Sequence, residues 1–291
     1  MLEYHSISAL VQAAQDSGST ISALVLADQA AQAEAAPEDL YRRMQDNLHV
    51  MQEAVQAGAG PDIKSTSGLT GGDAYKMQQY AQGGGLCGPF FTGALTRALA
   101  VSEYNAAMGK IVAAPTAGSC GILPGTILTL MDARGLPEET AVMALFTAGA
   151  FGMVIADRAS IAGAQGGCQA ECGSAAAMAA AALVEMAGGT PEMCAHACAI
   201  AIKNQLGLVC DPIAGLVEVP CIKRNAGGVA CAFAAAEMAL AGIQSVIPVD
   251  EVIDAMREVG DSMPCALKET AQGGLAATPT GQRLKQEIFG E

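Results

Sequence analysis

The chain has 291 residues, long enough to bury a substantial core, and a formal net charge of −14. An acidic balance of that size lacks the basic footprint that nucleic-acid phosphates and anionic lipid surfaces require, so neither is expected as a partner. Aromatic residues make up only 4% and Trp is absent, whereas Gly (34) and Met (14) are plentiful, so the core must come from closely approaching backbones and small side chains.

The opening residues Met1-Leu2-Glu3-Tyr4-His5-Ser6 lack the basic and apolar regions of a secretory signal. The longest apolar run, Ala141 to Ala156, falls short of the roughly 20 residues of a spanning helix. A cytoplasmic location is therefore expected. In that compartment the ten cysteines stay reduced, which leaves metal binding, catalysis or simple burial as their uses.

In chain order, Ile7 to Gln15 reads as a helix with Leu10 and Val11 on one face, and Thr20 to Glu34 as a second. Pro37-Glu38-Asp39-Leu40 opens a third, with Pro at a first helical position and acids in the first turn. Its apolar positions Leu40, Met44, Leu48, Met51 and Val55 run to a stop at Gly58-Ala59-Gly60-Pro61, so residues 1–60 form a helical scaffold. Lys64 to Asp73 breaks the pattern: it is small, hydroxyl-rich and without apolar period. Its hydroxyls and amides suit a carboxylate or phosphate, although the P-loop pattern is absent and the same composition serves plain connectors.

Ala114 to Gly125 is a second such element, a glycine-rich turn with Cys120 in it, feeding the apolar helix Thr126 to Asp132. Unpaired amides and a positive dipole end make such a turn a ready anion site; the plain alternative is a loop with a buried thiol. Helices are then expected over Pro137–Ile155, Ser174–Ala187, Pro191–Leu206, Gly227–Ala241 and Val249–Glu258, with a short piece at Gly281–Phe289 and stops at Gly135, Gly188-Gly189 and Gly207. Period-2 runs are nearly missing, and neither repeat nor linker divides the chain. The fold class is all-α: a single domain of Ala/Gly-rich packed helices with glycine-rich active-site loops.

Cys168, Cys210 and Cys221 each lie in a Gly- or Pro-punctuated stretch whose backbone is able to bend toward a common centre. Cys168 and Cys172, and likewise Cys194 and Cys198, are spaced i, i+4, which suits either a chelating face or a core stripe. For Cys194 and Cys198, inside an unbroken helix, the core stripe is the better reading. The turn-rich segment Asp211 to Pro220 is able to return Cys221 toward Cys210, although ferredoxin-type close spacing is absent.

Ser67-Gly68-Leu69-Thr70-Gly71-Gly72-Asp73-Ala74, the stretch Ala114 to Ile122 with Pro124-Gly125, and Leu206 to Pro212 through Val219-Pro220-Cys221 with Arg224-Asn225 together resemble the alpha chain of the iron–sulfur L-serine dehydratases. The resemblance covers nearly the whole chain. It implies a [4Fe-4S] cluster held by Cys168, Cys210 and Cys221, with Cys172 an alternative to Cys168, and a separate beta subunit within an oligomer. Fused members end in a cysteine able to reach the cluster; Ile288-Phe289-Gly290-Glu291 has none, so inhibition by such a tail is not expected here.

On that resemblance the open iron binds the β-hydroxyl of L-serine. Ser65, Ser67, Gly68, Thr70 and Gly71 of one loop, and Thr116, Ala117, Gly118 and Ser119 of the other, hold the carboxylate and orient the Cα–H bond. Catalytic candidates are Lys64, Ser65, Ser67, Thr70 and Asp73, with Lys64 or Asp73 as base unless a histidine of the beta subunit serves. Three other readings compete. One is the same scaffold acting on another β-substituted amino acid such as cysteine. The second is a pyridoxal-phosphate dehydratase using Lys64, which predicts strands this sequence lacks. The third is a non-catalytic helical protein with a structural metal site.

Overall fold

The computed structural model describes residues 2 and 4–290; the expectations touching Met1, Glu3 and Glu291 lie outside the described residues. The described residues form α1 (Ile7–Ser17), α2 (Ile21–Gln32), α3 (Pro37–Gly58), α4 (Asp73–Gln82), α5 (Gly88–Ala106), α6 (Ile122–Arg134), α7 (Glu138–Arg158), the single turn α8 (Gly163–Gly166), α9 (Ser174–Met186), α10 (Pro191–Gln205), α11 (Cys221–Leu240), α12 (Val249–Ser262) and α13 (Pro279–Phe289). Hydroxyls set several of the starts. Ser6, Thr20, Thr190 and Thr278 accept from backbone amides of the first turns of α1, α2, α10 and α13. Extended pairing among the described residues is an isolated parallel bridge between Cys210 and Lys268, so the all-α expectation holds.

The core is organised around α9, where every residue from Ser174 to Val184 is buried. It packs against α6, α7, α10 and α11. A helix that is apolar all round belongs inside, and alanine suits that place because it orders no side chain and lets neighbouring backbones come close. This replaces the missing aromatic bulk. Helix α7 is long and apolar enough by length and composition to cross a membrane, more than the run Ala141 to Ala156 suggests. Most of its apolar window is nevertheless buried among helices, with Phe146, Phe151, Val154 and Ile155 in the main core cluster.

Three helices were not anticipated: α4, α5 and the single turn α8. The buried positions of α5 include Thr92, Thr96, Ser102 and Glu103 beside alanines, which blurs its apolar period. Two others begin earlier than expected: α6 at Ile122 rather than Thr126, and α11 at Cys221 rather than Gly227. Pro124 fits inside the first turn of α6 because no partner is available there for its missing N–H. Gly227-Gly228, read as a start, lies within α11 because Ile122 crosses at Gly228, where a Cβ would collide with its side chain. A five-residue π turn, Gln169–Gly173, leads into α9.

Candidate active site

The two glycine-rich loops are fastened side by side at the C-terminal end of α5. Ala106 O accepts from Thr66 N (3.1 Å) in the first loop, and Asn105 Nδ2 donates to Ala117 O (3.2 Å) in the second. The start of α11 lies against the second loop. Asn225 Nδ2 donates to Gly118 O (2.8 Å) and Cys221 O (2.9 Å), while its Oδ1 accepts Gly121 N (2.9 Å). Just before α11, the buried carboxylate of Glu218 accepts from Ser67 Oγ (3.0 Å) and Thr70 Oγ1 (2.9 Å) of the first loop. One glutamate before Cys221 and one asparagine after it therefore pin both loops to the start of α11.

The π turn brings in the third wall. Glu171 accepts from Thr116 Oγ1 at 2.8 Å, next to Gly118 of the second loop. Gly163 sits opposite, where an added Cβ would stand 2.7 Å from Glu171 Oε2 and 3.1 Å from Cys210 Sγ, so a side chain there would fill the space between carboxylate and thiol. Burial raises the Glu171 carboxyl above its usual range, against the Thr116 hydrogen bond, and Glu269 adds to the rise.

Cys168, Cys172, Cys210 and Cys221 are all buried and free, and Cys168 and Cys221 each lie within electrostatic reach of the other three. The neighbouring Cys172 thiol, with Arg224 also near, holds Cys168 below the ordinary thiol value despite its burial. Cys172 moves the opposite way, first through its pairing with Cys168 and then through burial. Burial, with a charge on Cys168 adding to it, raises Cys210 and pushes Cys221 up to about 12. Arg224 is fixed in place, donating to Val209 O at 2.7 Å and to Asp211 Oδ1 at 2.8 Å. Among the described residues no three His, Cys, Asp or Glu side chains close around a single-ion position. A polynuclear cluster holds its thiolates farther apart than one ion does. A set of buried thiols that need positive charge in order to ionise, beside the Gly163 gap, fits such a cluster.

The chain returns over Cys210 near its end. Cys210 N donates to Leu267 O and Glu269 N to Cys210 O, both at 2.8 Å, and Leu275 N donates to Asp211 Oδ2 at 2.7 Å. Glu269, held at φ 62° in the left-handed region, belongs to this crossing. Glu269 and Glu218 were not singled out by sequence, and Asp211 appeared only as part of the stretches Leu206 to Pro212 and Asp211 to Pro220, because each is placed by contacts far along the chain.

The other expected residues are distributed as follows. Ser65, Ser67, Gly68, Thr70 and Gly71 form one compact turn, with Thr70 N donating to Ser65 Oγ (3.2 Å) and Leu69 N to Ser67 Oγ (3.1 Å). Thr116, Ala117, Gly118 and Ser119 form the 3-10 turn beside Glu171. Lys64 is exposed, its chain passing over Gly68. Asp73 opens α4 and pairs with Lys223 (2.8 Å) and Lys76 (3.0 Å), and these lysines, Lys223 foremost, hold its carboxyl below the usual range. Cys194 and Cys198 lie in the core on α10, away from this group. The larger grooves, of about 630 and 380 Å³, are lined by other residues than Cys168, Cys210 and Cys221.

A family model described as serine dehydratase alpha chain matches residues 16–276. The chain is 54% identical over 288 residues to a probable L-serine dehydratase alpha chain of Bacillus subtilis, covering 99% of this chain and 96% of that protein. It is 44% identical over 283 residues to the L-serine dehydratase alpha chain of Peptoniphilus asaccharolyticus, covering 97% of each. An L-serine dehydratase of Streptomyces coelicolor is 38% identical over 274 residues, which cover 92% of this chain and 59% of that protein, so part of the relative has no counterpart here.

Proposed function

The chain belongs to the serine dehydratase alpha-chain family, and on that premise we propose that it is the alpha subunit of an L-serine ammonia-lyase working with a separate beta subunit. The reaction removes the Cα proton and the β-hydroxyl of L-serine as water. The resulting enamine tautomerises to an imine, which water hydrolyses to pyruvate and ammonia. The observation that carries the reading is the gathering of Cys168, Cys210 and Cys221 beside Arg224 and Glu171, with both glycine-rich loops fastened to the same place.

Cys168, Cys210 and Cys221 would hold a [4Fe-4S] cluster, with Cys172 beside Cys168. When bound, the cluster supplies a Lewis-acidic iron for the departing hydroxyl. The turn Thr116–Ser119 offers amide donors to the substrate carboxylate, and Asn225 fixes that turn against α11. Asp73, offered by sequence as a base, is committed to two lysines, whereas Glu171 faces the thiols and is the carboxylate placed to receive the Cα proton.

The test is co-expression with a beta chain, anaerobic purification, and assay of pyruvate formed from L-serine. A brown, air-sensitive complex that makes pyruvate supports the reading. A colourless zinc protein without lyase activity overturns it.

A further inference from the structure

The hydroxyl loop carries the opposite polarity from the one its composition suggests. Ser67 Oγ and Thr70 Oγ1 both give their protons to Glu218 Oε2, at 3.0 and 2.9 Å. A hydroxyl whose proton is given to a carboxylate presents only lone pairs outward. The third hydroxyl, Ser65 Oγ, accepts the Thr70 amide and lies 3.4 Å from Ser67 Oγ. The turn that seemed suited to a carboxylate is therefore built to receive donors.

Glu218 has capacity left over. Its side chain is buried, with the residue only 6% exposed, yet Oε1 receives no protein donor and is not among the fully enclosed unpaired polar atoms of the described residues. Oε1 thus keeps a small accessible surface on the carboxylate that Thr70 Oγ1 donates to. Glu218 also lies immediately before the turn that begins α11 at Cys221, and its carbonyl accepts Ile222 N at 3.0 Å.

We propose that Glu218 Oε1 and Thr70 Oγ1 receive the α-ammonium group of the amino-acid substrate and so select amino acids over the matching hydroxy acids. The assignment rests on the lyase reading above. It separates the poles of the substrate: ammonium at the loop of Ser67 and Thr70, carboxylate at the turn of Ala117 and Gly118. Those two elements are already held together by Asn105 and Ala106. A buried carboxylate whose partner is a substrate ammonium makes a charge-assisted bond that a neutral competitor cannot supply.

The experiment compares L-serine with 3-hydroxypropanoate, which keeps the carboxylate and β-hydroxyl but lacks nitrogen. Both are measured on the cluster-loaded complex with the beta chain. For Glu218→Gln the expected result is a rise in KM for L-serine of about 10- to 100-fold, kcat changed less, and an inhibition constant for 3-hydroxypropanoate within about threefold of the unsubstituted complex. Thr70→Val is expected to weaken L-serine alone, by a smaller factor. Parallel weakening of both compounds would assign Glu218 to holding the loop, and an unchanged KM would remove it from the site; either overturns the proposal. If the glutamine variant does not accumulate, Glu218→Asp, which keeps the charge but draws it back, decides by the same ratio. Absence of pyruvate from the unsubstituted complex would instead defeat the lyase reading itself.

Discussion

Two groups of buried cysteines in this molecule differ in backbone and in the charge of their neighbours. Cys194 and Cys198 lie one turn apart on the regular helix α10, packed in the main core, and their electrostatic neighbours are carboxylates, Glu185 and Asp250. Both carboxylates are occupied with helix starts: Glu185 accepts Ile21 N at 3.0 Å, and Asp250 accepts Ile7 N at 2.8 Å. Cys168 stands immediately before a π turn, Cys210 at an isolated bridge and Cys221 at the first residue of a helix, with Arg224 among them. Burial and neighbouring carboxylates oppose ionisation in both groups, Glu171 and Glu269 in the second, and only the second has a fixed cation as well. Spacing gives each region an i, i+4 pair, Cys168 with Cys172 and Cys194 with Cys198, and it is the surroundings that separate them.

The largest expected effect breaks the comparison most directly. Cys210→Ala is expected to abolish iron content, visible colour and pyruvate formation in the anaerobic complex. Cys198→Ala should retain all three and lose only about 1 kcal/mol of stability to the small cavity. Metal analysis and the absorption spectrum of the two variants provide the check. Equal retention by both would place Cys210 with the packing residues.

Next in size is the cation itself. Arg224 and Asp211 form an ion pair with side-chain exposures of 17% and 4%, so Arg224→Ala leaves a buried carboxylate unpaired, at a cost of about 3–5 kcal/mol. Arg283→Ala removes an exposed pair with Glu287 on α13 and should cost no more than about 1 kcal/mol. Urea unfolding of the cluster-free proteins measures both. A small loss for Arg224→Ala would mean that Asp211 is held by Leu275 N and solvent rather than by the guanidinium.

Where the sequence was legible follows from how local each signal is. Helix α3 could be read from Pro37, the acids after it and its apolar period, and α10 from Pro191, because each mark lies within a turn of what it sets. Helix α5 could not, since its inward positions carry threonines and Glu103, whose carboxylate accepts Asp73 N and Ala74 N at the start of α4. The site divides in the same way. The loops of Ser67 and Thr116 stood out by composition, but the polarity of the first depends on Glu218, far along the chain. Asn225 and Arg224 stood in a motif of the family resemblance, but their roles could not be read there, because these are set by Gly118, Val209 and Asp211.

The smallest effect sharpens the comparison from the side of the core pair. Asp250 is the negative neighbour of Cys198, and it caps α1 from α12, accepting from Ser6 Oγ (2.8 Å), Ile7 N (2.8 Å) and Ser8 N (3.1 Å). Burial works against its ionisation, but these donors outweigh burial and hold the carboxyl below its usual range. A carboxyl lowered in the folded state contributes stability that is fully present above its unfolded value of about 3.9, and that contribution is lost as the pH falls through the folded value. Asp250→Asn should therefore cost about 1–2 kcal/mol at neutral pH, as loss of a helix cap does. The gap between the variant and the unsubstituted chain should then close as the pH falls below about 4. Urea unfolding of the cluster-free chains across that range gives the comparison. A gap that stays constant would mean that the carboxylate acts by shape and not by charge, and that the negative surroundings of Cys198 do not distinguish it from Cys168.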